Sequence, residues 1–178
     1  QTELDVLKAQ INPHFLFNSL NSISSLTITN PAKAQDMIIK LSDFLRYSVS
    51  QPADQFTSLK KEIENSSKYL DIEQVRFGNR LVYSIDIKDN TLEASIPTLI
   101  LQPLFENAIK HGVYESTEAV TIHTICDLKA NILEITIRNN FDPEAKPRKG
   151  AGIGLKNIRE RLKLIYKNEQ LLKIDSEN

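Results

Sequence analysis

The chain has 178 residues, 22 basic against 23 acidic side chains and 40% hydrophobic residues, which is enough length for one large domain or two small ones with a core of their own. The near-zero net charge argues against a nucleic-acid partner and against direct membrane contact through a polybasic surface, and no stretch approaches the ~18 to 20 continuous apolar residues of a membrane span. The single cysteine, Cys126, has no partner for an internal disulfide and lies in an alternating apolar run, so a core position in a reducing, cytosolic compartment is expected.

In chain order, everything to about Phe77 reads as helical, with no glycine before Gly78. Leu4, Leu7 and Ile11 recur as at a coiled-coil seam, and Phe15, Leu16, Leu20 and Ile23 continue the apolar face. Pro13 either begins a helix capped by Asn12 or bends a longer one. A second helix is announced by Asn30 as N-cap and Pro31 at its first position, with Ala34, Met37, Ile38, Leu41 and Leu45 as its stripe, and is expected to run to about Ser50. Ser58 caps a third, whose Leu59, Ile63, Leu70 and Phe77 face inward and which Gly78 ends. Connections this short imply antiparallel packing.

From Leu81 the period changes to two. Leu81, Tyr83, Ile85 and Ile87 alternate, as do Val120, Ile122 and Thr124, and then Leu133, Ile135 and Ile137, which predicts strands with one wet face. Between them a helix is expected to start at Pro97, bury Ile100, Leu101, Leu104, Phe105, Ala108 and Ile109, and stop at Gly112. The second half is a sheet covered by helices.

Three groups of residues carry chemistry. Three of the five glycines fall in Gly150-Ala151-Gly152-Ile153-Gly154, directly before an amphipathic stretch of Leu155, Ile158, Leu162 and Ile165. Backbone without Cβ atoms, followed by a helix N-terminus, outlines a phosphate cradle, although a flexible lid fits the same run. No Gly-Lys-Ser/Thr ends it, as a P-loop requires, and no strand leads into it, as a dinucleotide-binding turn requires. On the Pro97 helix, Asn107, Lys110 and His111 stand at i, i+3 and i+4 beside Glu106. An Asn oxygen suits Mg2+, a carboxylate can orient or accept a proton, and Lys110 can meet phosphate charge. A solvated face with an ordinary Glu106–Lys110 pair explains that spacing too. In the first helix His14, Asn18 and Asn21 form a polar stripe that puts an imidazole, a nucleophile when neutral, at a reachable surface. A histidine beside a kink also has a purely structural reading, and His123, among strand residues, reads as a surface or sheet histidine.

The run Glu106-Asn107-Ala108-Ile109-Lys110-His111-Gly112, followed about 40 residues later by Gly150-Ala-Gly-Ile-Gly-Leu-Lys-Asn157, resembles the ATP-binding domain shared by histidine kinases, gyrase-type ATPases, Hsp90 and MutL. The resemblance implies that Asn107 holds Mg2+, that Glu106 accepts or orients a proton, and that Gly150, Gly152, Gly154 and Leu155 form a lid over the phosphates, beside the basic run Lys146, Arg148 and Lys149. Lys110, His111 and Asn139 are the further nucleotide-binding residues it implies. The chain departs from that pattern in Ile137-Arg138-Asn139-Asn140-Phe141-Asp142: Asn139 stands where an Asp accepts from the adenine amino group, and Phe141 where a glycine is expected. An uncharged Asn oxygen weakens adenine recognition, and Asp142 is the alternative acceptor.

The run Pro13-His14-Phe15-Leu16-Phe17-Asn18 resembles the phosphoacceptor box of LytS/YehU-type sensor histidine kinases. Leu45-Arg46-Tyr47, Tyr69-Leu70 with Glu73, Arg76-Phe77-Gly78, and Arg161-Leu162 with Tyr166 extend the match over nearly the whole chain. The implied fold is α+β: a helical dimerisation and phosphotransfer hairpin at 1–78, then a GHKL (Bergerat-type) α/β sandwich at 79–178 that stops short of that family's last Gly-rich strand pair after Leu172 to Ile174. The implied function is ATP- and Mg2+-dependent autophosphorylation of His14, then transfer to an aspartate of a response regulator, of LytTR type by the same resemblance. Phe15 cannot act as a base, so Glu106 is the expected proton acceptor, with Asn18 orienting the ring. The family also implies a homodimer and a cytoplasmic location, in a bacterial inner-membrane sensor whose membrane segment precedes residue 1. A GHKL-type ATPase, in which His14 has no task, and a catalytically weak nucleotide-binding scaffold are the competing readings.

Overall fold

The computed structural model describes residues 12–50, 55–114, 116–141 and 153–175, so the coil-like Leu4, Leu7 and Ile11, the basic run at 146–149 and the glycines Gly150 and Gly152 lie outside it. Helix α1, Pro13–Thr29, begins where Asn12 accepts from the backbone N–H of His14 at 3.1 Å and of Phe15 at 3.4 Å, with proline at the first helical position. Of the two readings of Pro13, the helix start holds among the described residues. Helix α2, Pro31–Ser50, has Asn30 Oδ1 accepting from Lys33 N–H at 3.1 Å. Its buried stripe is Ala34, Met37, Leu41, Phe44 and Ser48. Ile38 is 47% exposed and Phe44 points inward in its place, because buried positions step by 3, 4, 3 and 4 from Ala34 and Ile38 falls off that line.

Helix α3, Leu59–Phe77, is capped by Ser58 and closed by Gly78, whose φ of 58° is the left-handed conformation a glycine adopts without strain. One ring from each of the three helices joins them: Phe15 lies 5.4 Å from Phe44 and 4.9 Å from Tyr69, and Phe44 lies 5.8 Å from Tyr69. The region before Gly78 is not wholly helical. Strand β1, Phe56–Ser58, pairs antiparallel with β3, Ser95–Pro97.

The main sheet has strands β2 (Leu81–Ile87), β4 (Val120–Lys129) and β5 (Ile132–Asn139) in the order β2-β4-β5. β2 and β4 run parallel, which requires a crossover, and helix α4, Gln102–Gly112, lies within it. β4 and β5 form an antiparallel hairpin whose two turn residues, Ala130 and Asn131, both have positive φ, the geometry that matches strand twist. Cys126 is fully buried, as expected, and His123 sits at the sheet surface with Nε2 2.8 Å from Asp86 Oδ2 on the neighbouring strand. Helix α5, Ile153–Tyr166, buries Ile158 and lays Leu155 and Leu162 on the core. Residues 167–175 form neither helix nor strand. The fold is α+β, a helical hairpin followed by a mixed sheet, and its buried residues run as one cluster from Phe15 to Ile158.

The expected start of α4 is corrected. Pro97 ends β3, and the helix starts five residues later at Gln102 with Pro103 in its first turn. The intervening backbone turns at Leu99, whose φ is 56°, and its N–H groups are taken by Glu62 of α3. The carboxylate accepts from Leu99 at 2.8 Å, Ile100 at 3.1 Å and Leu101 at 3.4 Å, and from the Tyr47 hydroxyl at 2.8 Å. The helix stops at Gly112 as expected, where a Cβ would stand 2.7 Å from Val120 Cγ1. The glycine is needed for close approach to β4.

Glu62 is 1% exposed, so its removal leaves three buried N–H groups without an acceptor. Glu62→Ala is expected to lower the unfolding free energy by about 3 kcal/mol or more, measured by urea denaturation.

Candidate functional site

The start of α1, the inner face of α3, α4 with the turn after it, and the first turn of α5 enclose a cleft of about 360 Å3, within the range of small-molecule sites. Asn12, His14 and Phe15 line it from α1, Tyr69 and Glu73 from α3, Pro103, Glu106, Asn107, Lys110 and Tyr114 from α4 and its exit, and Gly154 and Leu155 from α5. The acceptor candidate His14 therefore shares one cavity with Glu106, Asn107, Lys110, Gly154 and Leu155, from the other end of the chain.

His14 is exposed at its mouth, and the Asn18 amide nitrogen lies 3.1 Å from its Nε2 and 3.2 Å from its Nδ1. Asn18 touches the imidazole without itself lining the cleft. On α4, Glu106 accepts from Gln102 Nε2 at 2.9 Å, and Gln102 in turn accepts from Ser48 at 3.4 Å. Burial pushes the Glu106 carboxyl above the usual carboxylate range, and the Gln102 hydrogen bond acts in the opposite direction. Glu106 thus has Gln102 as its hydrogen-bond partner, where the spacing alone allowed an ordinary pair with Lys110.

His111 follows Lys110 around the helix, outside the residues lining the cleft. Asn139 lies elsewhere as well, at the end of β5, where its Nδ2 donates to the Asn140 carbonyl at 3.1 Å and stands against the helix end at Gly112. Its neighbour Asn140 bridges to β4, accepting from Thr121 N–H at 2.7 Å and donating to Ala119 O at 3.0 Å.

The cleft also holds groups to which the sequence attached no role. Glu73 is 1% exposed, its Oε2 has no hydrogen-bond partner, and the nearest cation, Arg76 Nη1, is 3.5 Å away. Burial raises its pKa to about 7, Arg76 opposes that rise and the Glu106 charge adds to it. Desolvation wins because the ion pair is long and Oε2 accepts no hydrogen bond. Tyr69 is buried with its phenol held well above 10, first by burial and then by the Glu73 charge. A signal for Glu73 was present: it occupies an inward position of α3, in step with Leu59, Ile63 and Leu70, where an acid is out of pattern.

Residues 2–81 match the family model described as histidine kinase. That segment spans α1, α2 and α3 and contains His14. Over that segment the chain is similar to the histidine kinase family. It is 40% identical over 175 residues to the sensor histidine kinase YpdA of Escherichia coli K12 (93% of this chain, 31% of that protein). It is 37% identical over 180 residues to the sensor protein LytS of Oceanobacillus iheyensis (93% and 31%) and 38% identical over 184 residues to the sensor histidine kinase YesM of Bacillus subtilis strain 168 (100% and 32%). These alignments carry the similarity through α4 and α5, beyond the matched family segment. The chain spans about a third of the length of these relatives. No helix among the described residues is long and apolar enough to cross a membrane.

An acid whose pKa is higher folded than unfolded takes up a proton on folding, so its contribution to stability falls as pH rises through that interval. For Glu73 the interval runs from 4.5 to about 7. The stability of the unaltered chain relative to Glu73→Gln is expected to decline across it and to level off above, as read from chemical denaturation at a series of pH values.

Proposed function

We propose that this chain is the catalytic core of a two-component sensor histidine kinase, in which the γ-phosphoryl group of ATP passes to His14 and then to an aspartate of a response regulator. The observation that carries this reading is the shared cleft: His14 faces the same cavity as Glu106, Asn107 and Lys110. The match of residues 2–81 to the histidine kinase family model supports it. An ATPase reading gives His14 no reason to stand there.

The donor set fits a Mg-nucleotide. The Asn107 side-chain oxygen is a hard ligand that would hold Mg2+, and Lys110 would supply positive charge beside it for the phosphates. No group of three or more His, Cys, Asp and Glu able to hold a metal occurs among the described residues, so the phosphates and water would complete the shell. Bound Mg2+ supplies charge neutralisation on the phosphates.

In the proposed step a ring nitrogen of His14 forms the bond to the γ-phosphorus as the bond to the bridging oxygen breaks and ADP leaves with that electron pair. The imidazole proton passes to Glu106. Burial raises the proton affinity of this carboxylate, which favours its receiving a proton. With its amide turned end for end, Asn18 accepts from the protonated ring nitrogen and leaves the other lone pair free for attack. Gly154 and Leu155, with Gly150 and Gly152, are assigned to the lid over the phosphates. Asn139, beside Gly112, is assigned to the adenine and His111 to the outer edge of the nucleotide helix, both outside the cleft that holds His14.

Residues 1–78 are assigned to dimerisation and phosphotransfer, and 79–178 to a GHKL-type ATP-binding unit. Exposed Phe17 (66%), Leu20 (49%) and Ile28 (86%) lie along one side of α1, as a helical dimer interface requires. The response regulator is assigned to the LytTR type, and the whole protein to a membrane sensor with this part on the cytoplasmic side.

Incubation with γ-labelled Mg-ATP is expected to give acid-labile, alkali-stable label that disappears in His14→Gln. Nucleotide binding without label would support the scaffold, and phosphate release without label the ATPase. Glu106→Gln is expected to slow labelling about a hundredfold with nucleotide binding retained, and a full labelling rate would remove Glu106 as the base. Ile28→Lys is expected to shift the chain toward monomer in analytical ultracentrifugation.

A further inference from the structure

Tyr114 follows α4 by two residues and belongs to none of the kinase motifs, yet it is held from three directions and meets the acceptor. Its backbone is pinned by the last turn of α4, where Val113 N–H and Tyr114 N–H donate to Ile109 O at 2.8 and 3.2 Å. Arg80 secures the same segment, with Nη2 donating to Val113 O at 2.9 Å and to Ser116 O at 2.5 Å. The ring packs edge-on against Phe77, with centroids 5.2 Å apart at 86°, and the Arg76 guanidinium lies 4.9 Å from its centroid. The Tyr114 hydroxyl accepts from Arg76 Nη1, and Arg76 is tethered to the buried Glu73 at 3.5 Å.

The free side of this ring faces His14, with ring centroids 5.9 Å apart. Asn18, which contacts the imidazole nitrogens, also lies close enough to the Tyr114 hydroxyl to lower its pKa. Tyr114 therefore touches the acceptor ring and the residue that orients it, while its own position is set by α3 and α4, the helices that build the nucleotide side of the cleft. An exposed imidazole on α1 has no other aromatic neighbour among the described residues.

We propose that Tyr114 is a positioning residue that seats His14 in the nucleotide cleft of its own chain, so that phosphoryl transfer is intramolecular. This rests on the kinase reading above. Reactions of this kind depend on holding the nucleophile in line with phosphorus, and a displacement of about 1 Å costs up to ~100-fold in rate. The ring contact limits how far His14 can swing, and Asn18 adds direction.

The test uses single-turnover labelling from γ-labelled Mg-ATP, with nucleotide affinity and thermal stability measured on the same preparations. Tyr114→Ala is expected to lower the labelling rate at saturating ATP by about tenfold or more, with the dissociation constant for Mg-ATP changed less than twofold. Tyr114→Phe, which keeps the ring but loses the hydroxyl contacts, is expected to recover most of that loss. A Tyr114→Ala rate within twofold of the unaltered chain, or a loss of ATP affinity as large as the loss of rate, would overturn the positioning role. In a mixture of His14→Gln and Asn107→Ala chains after verified subunit exchange, neither is expected to take up label. Label on the Asn107→Ala chain would show transfer between subunits and overturn seating in the same chain. Absence of label from the unaltered chain would instead defeat the kinase reading on which the proposal stands.

Discussion

The carboxylate of Glu62 holds the helical layer to α4, and the rest of the site depends on that joint. One buried side chain of α3 accepts three successive backbone N–H groups at Leu99, Ile100 and Leu101, as well as the hydroxyl of Tyr47 from α2. Buried N–H groups in a sharp turn need acceptors, and a carboxylate has the lone pairs for several. The turn at Leu99 lets β3 end on β1 while α4 leaves in a new direction, so that Glu106, Asn107 and Lys110 face α3 and α1. Arg161 of α5 reaches the same turn, donating to Thr98 O at 2.6 Å, which brings Gly154 and Leu155 to the remaining side of the cleft.

Within that cleft the electrostatics are unusual for so exposed an opening. Two carboxylates, Glu73 and Glu106, line it, both raised above the ordinary range by burial, and the Glu106 charge adds to the rise at Glu73. The Glu106 charge disfavours ionisation of Glu73. The aromatic residues above and below have a different part: Phe15 and Tyr69 pack the floor, while Tyr114 meets the imidazole from the side.

Much of this was legible before any coordinates. Asn12, Asn30 and Ser58 as caps, Pro13 and Pro31 at first helical positions and Gly78 as a stop each act through the backbone of their own neighbours, so local sequence suffices to read them. The strand alternation and the stripes of α2 and α3 are similarly local, apart from the exchange of Ile38 for Phe44. The β1–β3 ladder was not legible, because three-residue strands are too short to show a period. For the same reason Pro97 read as a helix start: proline suits both a helix's first turn and a strand's end, and only the distant Phe56–Ser58 segment and Glu62 choose between them.

His14, Glu106, Asn107, Lys110, Gly154 and Leu155 were recognisable as motif residues, and the sequence by itself determined which face of each helix they occupy, since a 3.6-residue period orders side chains around one axis. It did not determine that those faces meet. The convergence of α1 and α4 on one cleft, the capture of Tyr114 beside His14 and the burial of Glu73 without a full partner were decided by tertiary structure. They arise from contacts between residues tens of positions apart, whose strength depends on how three helices and a sheet pack and exclude water, and no local spacing carries that information.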